Sequence, residues 1–125
     1  MANTSLRNQV IQIAARKYHT KPERLWAKYP GYEVLRHTEN RKWYAVIMDV
    51  PKNRLGLEGE EKIDIMDIKI DSEVVGSLLL GKGIFPGYHM NKGNWISVLL
   101  DGTVAVSTVE LLLDVSFGLT DKKKK

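Results

Sequence analysis

Tyr88, His89, Asn91, Lys92 and Asn94 lie within seven residues of one another, just ahead of an apolar run at 95–100. Aromatic rings, amides, an imidazole and a cation on a loop anchored by a buried strand suit recognition more than bond-making. Their functional reading is a surface for a nucleic acid or a peptide. Their structural reading has His89 and Asn91 bonding to loop backbone while Trp95 fills the core. Reaction chemistry finds little support elsewhere. The chain has no cysteine, which removes disulfides and thiolate metal sites. It has no Gly-x-Ser-x-Gly elbow, and no serine with an evident base and orienting acid. His19, His37 and His89 are far apart in sequence, unlike the closely spaced ligands of a zinc site. Glu60, Glu61, Asp64 and Asp67 fall on or beside a strand and read as a solvated acidic face rather than a hard-cation site. Gly81-Lys82-Gly83 follows a helix and lacks the Gly-Lys-Ser/Thr ending of a phosphate loop, so it reads as a helix stop. The expectation is a non-enzymatic protein with no metal and no cofactor.

The elements that must position this loop follow from periodicity and punctuation. Residues 4–18 predict a helix with Leu6, Val10, Ile13, Ala14 and Lys17 near one face, and Thr4 or Ser5 accepting from its free first amides. Thr20-Lys21-Pro22-Glu23 has the form of a capping box and predicts a short helix over 21–28. Segments 32–38 and 41–50 read as a hairpin turning at Glu39-Asn40. Its second strand is apolar on both faces and is expected at the sheet centre beside 95–100. Pro51 ends that strand and 52–59 forms a loop. In the strand over 60–70, Ile63 and Ile65 are out of phase with Ile68 and Ile70. A β-bulge near Met66-Asp67 would turn all four to one core. Asp71 or Ser72 caps a helix from Glu73 to about Leu80. Ser107 and Glu110 form a second capping box with a Val106/Leu111 staple. They predict a last helix with a stripe of Leu111, Leu112, Val115 and Leu119, closed at Gly118. The whole is an α+β domain over 1–120, a two-layer, mainly antiparallel sheet with helices on one face, followed by a disordered basic tail at 121–125.

Several of these runs also carry a resemblance. Tyr88-His89-Met90-Asn91-Lys92, Trp95 and Leu99-Leu100-Asp101-Gly102 resemble the MmcQ/YjbR family, as do Arg36-His37, Lys42-Trp43-Tyr44-Ala45, Met48-Asp49-Val50-Pro51, Leu55-Gly56-Leu57 and Gly76-Ser77-Leu78. Asp114, Ser116 and Phe117 extend the match to the end of the domain. The resemblance implies a CyaY-like, double-wing fold, also likened to secretion-chaperone domains, with 52–59 as the first wing and a proposed DNA-binding role. Asn94 stands where many members of that family carry a histidine, so no imidazole role is implied there.

Charge bears on the partner. Net charge is +4, but residues 1–43 hold nine Lys/Arg against three Asp/Glu, whereas 44–74 hold four against eight. A basic first third and a basic tail attract polyanions. For DNA, the candidates are Arg36, Arg41, Lys42, Lys82 and Lys92 with the Lys122–Lys125 tail, together with Tyr88, His89 and Asn91 of the loop. For a protein or peptide partner, the sheet edge or the apolar Leu55-Gly56-Leu57 would receive the segment. Arg7, Asn8, Gln9 and Gln12 interrupt every early apolar run, and no stretch reaches the roughly 20 residues that span a bilayer. The expectation is a cytoplasmic monomer with no membrane partner.

Overall fold

The computed structural model describes residues 5–121. Helix α1 (Leu6–Tyr18) is followed by strands β1 (Glu33–Arg36), β2 (Trp43–Pro51) and β3 (Lys62–Lys69). Then come a short helix α2 (Val75–Leu78), strands β4 (Ile84–Pro86) and β5 (Trp95–Leu99), and the long helix α3 (Val106–Thr120). All pairings are antiparallel, and the sheet order is β1-β2-β3-β5-β4. The fold is therefore the expected α+β sheet with its helices on one face. The centre is β3, however, and β2 does not pair with β5.

The helix-covered face is mainly aliphatic at its centre, with Tyr18, Tyr44 and Phe117 packed together at one end. Val10, Ile13 and Ala14 of α1 and Val109, Leu112 and Leu113 of α3 pack on Ala45, Ile47, Met66, Ile68, Ile96 and Val98. Ser5 caps α1, its hydroxyl accepting from the Asn8 amide at 3.1 Å. Arg7 then fastens that helix across the sheet, donating to Glu33 Oε1 and Asp64 Oδ1, both at 2.9 Å. At the other end, Lys17 and the Tyr18 hydroxyl bond to Asp114 of α3.

The β3 ladder runs without interruption from Lys62 to Lys69 against β2 and β5, so the bulge expected at Met66-Asp67 is absent. A bulge would be required only if all four isoleucines shared one core. The sheet has two: Met66, Ile68 and Ile70 face the helices, while Ile63 and Ile65 join a second cluster on the opposite face. The irregularity lies in β2, where Leu35 pairs with Ala45 and Arg36 with Trp43. That extra residue turns Tyr44 to the helices and Trp43 to the opposite face. Ser116 of α3 serves this point, donating to the Tyr44 carbonyl at 2.6 Å and accepting from the Lys69 amide at 2.8 Å.

Three helical expectations are corrected. Residues 21–28 do not form a helix: the Glu23 backbone pairs both ways with Val34 at 2.9 Å, and the Glu23 carboxylate takes Arg36. A tertiary ladder and ion pair replace the local capping box. Helix α3 starts at Val106 with Ala105 as its cap residue and no side-chain cap, not at Ser107. It runs through Gly118 to Thr120. Its inward stripe is Val109, Leu112, Leu113, Ser116 and Thr120, while Leu111 is 60% exposed. Packing on the sheet sets that phase. Asp71 does cap the next segment, accepting from the Glu73 amide, but its first turn is 3₁₀ and the α-helical part is only Val75–Leu78. Lys122–Lys125 lie outside the described residues.

Candidate ligand-binding face

The face of the sheet without helices is covered by loops. Val34, Val46, Met48, Val50, Ile63, Ile65 and Leu99 form its floor, and Trp26, Tyr32, Trp43, Leu55, Leu57, Phe85 and Tyr88 pack over it half-buried. Because 21–32 is tied down by the Glu23–Val34 pairing, it lays aromatic rings across the sheet. Trp26 meets Trp43 and Tyr32 edge-to-face at 5.7 and 6.0 Å, and Tyr29 stacks on Tyr32 at 4.7 Å. From the other side comes the β4–β5 loop, with Tyr88 and His89 in ring contact at 4.1 Å.

Between them lies a cleft of about 250 Å³, walled by Trp26, Tyr29, Tyr32, Trp43, His89 and Met90 over Val46 and Met48. An adjoining groove of about 400 Å³ shares Tyr29, Tyr32 and His89 with it and runs toward the Pro51–Lys62 end of the sheet. Lys28, Arg54 and Lys62 rim that groove, with one carboxylate, Asp49, among them. Lys62 stands 3.9 Å from Asp49. Lys28 and Arg54 are exposed and form no ion pair among the described residues. Burial, then the neighbouring Tyr88, Tyr29 and Asp49, raises the pKa of Tyr32, with Arg54 opposing, so its phenol stays a neutral donor at physiological pH.

The loop carrying His89 is held from below. Gly87 donates its amide to the Trp95 carbonyl at 3.1 Å, and a Cβ at Gly87 would lie 2.8 Å from that of Trp95, so only glycine allows the approach. Tyr88 donates its amide to Ser97 Oγ at 2.9 Å, and Ser97 lies 2.5 Å from Asp67 Oδ1. Asp67 is fully buried, and its Oδ2 has no partner among the described residues. Burial pushes its pKa up to about 8, against the opposing hydroxyl of Ser97 and the charge of Lys92. The carboxyl is thus neutral at pH 7, which suits a position under apolar rings. His89 itself takes a left-handed backbone, φ 63°.

The residues read from sequence as one site are not brought together. His89 lines both the cleft and the groove, and Tyr88 lines the groove. Asn91 accepts from the Gly93 amide and Lys92 donates to the Gly87 carbonyl at 2.9 Å, so both stabilise their own loop. Arg36 is occupied by a bidentate pair with Glu23 at 2.7 and 2.9 Å. Arg41 and Lys42 are exposed at the β1–β2 turn, while Lys82 lies before β4, at the opposite edge and opposite end of the sheet. Trp95 is half-buried and belongs to neither core cluster. The residues that do converge and went unread are Trp26, Tyr29, Tyr32, Trp43, Lys28, Arg54 and Lys62. The spacing of Trp26, Tyr29 and Tyr32, three apart, was the available signal. Assigning 21–28 to a helix hid it. Leu55 and Leu57, expected as an apolar wing, are half-buried in the second cluster.

Similarity to known proteins agrees with this architecture. The YjbR family model matches residues 15–119. The chain belongs to the YjbR family. It is 43% identical over 114 residues to the protein YyaQ of Bacillus subtilis (strain 168), covering 91% of this chain and 97% of that one. A crystal structure of a Pseudomonas syringae protein is similar at 46% identity and a TM-score of 0.89, over 91% of this chain and 97% of that chain. A Deinococcus radiodurans protein with a DUF419 domain has the same fold at 23% identity and a TM-score of 0.72, over 95% of this chain and 80% of that one. Among the described residues no helix is long and apolar enough to cross a membrane.

Proposed function

We propose that this YjbR-family protein is a non-enzymatic DNA-binding module whose contact surface is the loop-covered face of the sheet. The observation that carries this reading is the groove lined by Lys28, Arg54 and Lys62 together with the exposed Tyr29 and the half-buried Tyr32 and Tyr88. Phosphates take charge-assisted hydrogen bonds from such cations, while the rings and His89 fix where the backbone runs. Arg41 and Lys42 at the hairpin turn supply outlying charge, and Lys92 acts through the loop it pins. Among the described residues no base-reading helix motif is apparent, so binding is governed by phosphates and tolerant of sequence.

A peptide received by strand addition has less support. The β1 edge is already paired with Glu23, and the other edge, β4, is three residues long and ends in Pro86.

Salt titration of duplex binding tests the DNA reading. On duplex DNA each neutralised phosphate contributes roughly −0.9 to the slope of log K against log salt. The double variant Lys28→Ala/Arg54→Ala should reduce that slope by about 2. Replacing Lys122–Lys125 with Gln separates the groove from the tail. If only the tail variant changes the slope, or if the protein binds no DNA at low salt, the assignment fails.

A further inference from the structure

Two adjoining cavities on one face differ in chemistry. The cleft is aromatic and apolar, the groove is cationic, and Tyr29, Tyr32 and His89 belong to both. Tyr29 is stacked on Tyr32 by one face and is 50% exposed, so its other face is available. Trp26 and Trp43 close the far side, edge-to-face with each other. A ligand filling both cavities must pair a flat π-system with a neighbouring anion. A nucleotide unit does so, and successive phosphates would track Lys28, Arg54 and Lys62.

From this we infer that the face takes an unpaired nucleic-acid strand, with one base in the Trp26–Tyr29–Trp43 cleft and its flanking phosphates in the cationic groove. The inference rests on the DNA-binding reading and narrows it. In a duplex both faces of every base are already stacked, and the aromatic walls have nothing to engage. An unpaired base offers a free face to Tyr29 whatever its identity, so strand state rather than sequence is what the site selects.

The test uses the full chain with oligodeoxythymidylate and oligouridylate of about 10 nucleotides, within the footprint of single-strand-binding folds, and a duplex of the same length. Either single strand should bind at least about tenfold more tightly than the duplex, the loss expected from one stacked base. Both should quench tryptophan emission, and Trp26→Phe should reduce the quenching. Tyr29→Ala, at a half-exposed position, should weaken single-strand binding far more than duplex binding and so remove the single-strand advantage. Tyr29→Phe should restore it. Thymidylate against uridylate then tells whether the 2′-hydroxyl is tolerated, and tight binding of either one supports the inference. Equal binding of strand and duplex, or a Tyr29→Ala effect that is absent or the same on both, overturns the single-strand inference and leaves the DNA reading standing. No binding of any of the three at low salt overturns both.

Discussion

The two faces of this sheet are built from the same five strands and finished in opposite ways. On the helix side, Val10, Ile13, Val109 and Leu113 meet Ile68, Ile96 and Val98 in a buried aliphatic layer, with an aromatic cluster of Tyr18, Tyr44 and Phe117 confined to one end. On the loop side a similar strip of floor, from Val34 to Leu99, is roofed by half-buried tryptophans, tyrosines and a phenylalanine. The first arrangement removes water and gives stability. The second leaves clefts between rings and carries a neutral acid beneath them. The side that carries most of the fully buried core and the side proposed for recognition are thus opposite sides of one β-layer.

The largest expected effect tests that division. Ile68→Ala and Leu113→Ala, both fully buried under helices, should each cost about 2–5 kcal/mol by denaturant melts. Tyr29→Ala on the other face should cost no more than about 1.5 kcal/mol, the worth of its stack on Tyr32 at a half-exposed position. Comparable losses on both sides would mean that the roof is core like the rest.

Asp67 gives the next contrast, in pH. Its folded pKa of about 8 lies above the ordinary aspartate value of 3.8, so the folded state holds a proton that the unfolded chain releases. Stability from this group is fully present below pH 4 and is lost as pH rises toward 8. The loss should be on the order of a few kcal/mol, because a tenfold change in proton affinity is worth about 1.4 kcal/mol. Asp67→Asn should therefore flatten the fall between pH 5 and 8 and be more stable than the wild type at pH 8. A wild-type profile flat over that window would show that the carboxyl is charged under the loop.

Ser97→Ala should follow, at about 1–3 kcal/mol, because it leaves the Tyr88 amide without its acceptor. Hydrogen exchange should quicken at 87–94 and not in α1 or α3. Exchange raised everywhere would remove the distinction between a loop anchor and a core residue.

What could be read from sequence followed the same division only in part, since the start and phase of α3, on the helix side, were also set by packing. The helix-side elements carry periodic signals that local physics enforces: the Ser5 cap, the Val10–Ile13–Ala14 face of α1 and the apolar run at 95–100 were all legible. The loop side depends on contacts far apart in sequence. Glu23 looks like a capping-box residue until Val34 and Arg36 are placed beside it, 11 and 13 positions away. Ile63 and Ile65 look misphased only while a single core is assumed. Ser107 has the neighbours of a cap, yet the helix already includes Val106, with Ala105 in the cap position and no side-chain cap bond. Of the residues first read as the site, Tyr88 and His89 line its cavities because their loop folds back, and no local pattern encodes that.

The smallest effect is the most discriminating. His89 holds φ 63°, a conformation that costs an L-residue about 1–2 kcal/mol, although histidine is among the side chains that tolerate it better. Glycine would relieve that strain, but an extra glycine frees the unfolded chain by roughly 0.5–1 kcal/mol. The two nearly cancel, so His89→Gly should change stability by less than about 0.5 kcal/mol while stripping one wall from both the cleft and the groove. If binding to the oligonucleotides falls and the melt does not move, the imidazole is held in a strained backbone for its ligand contact. If instead stability drops by more than about 1 kcal/mol, its contact with Tyr88 is structural, and the roof of this face is packed more like the helix side than its clefts imply.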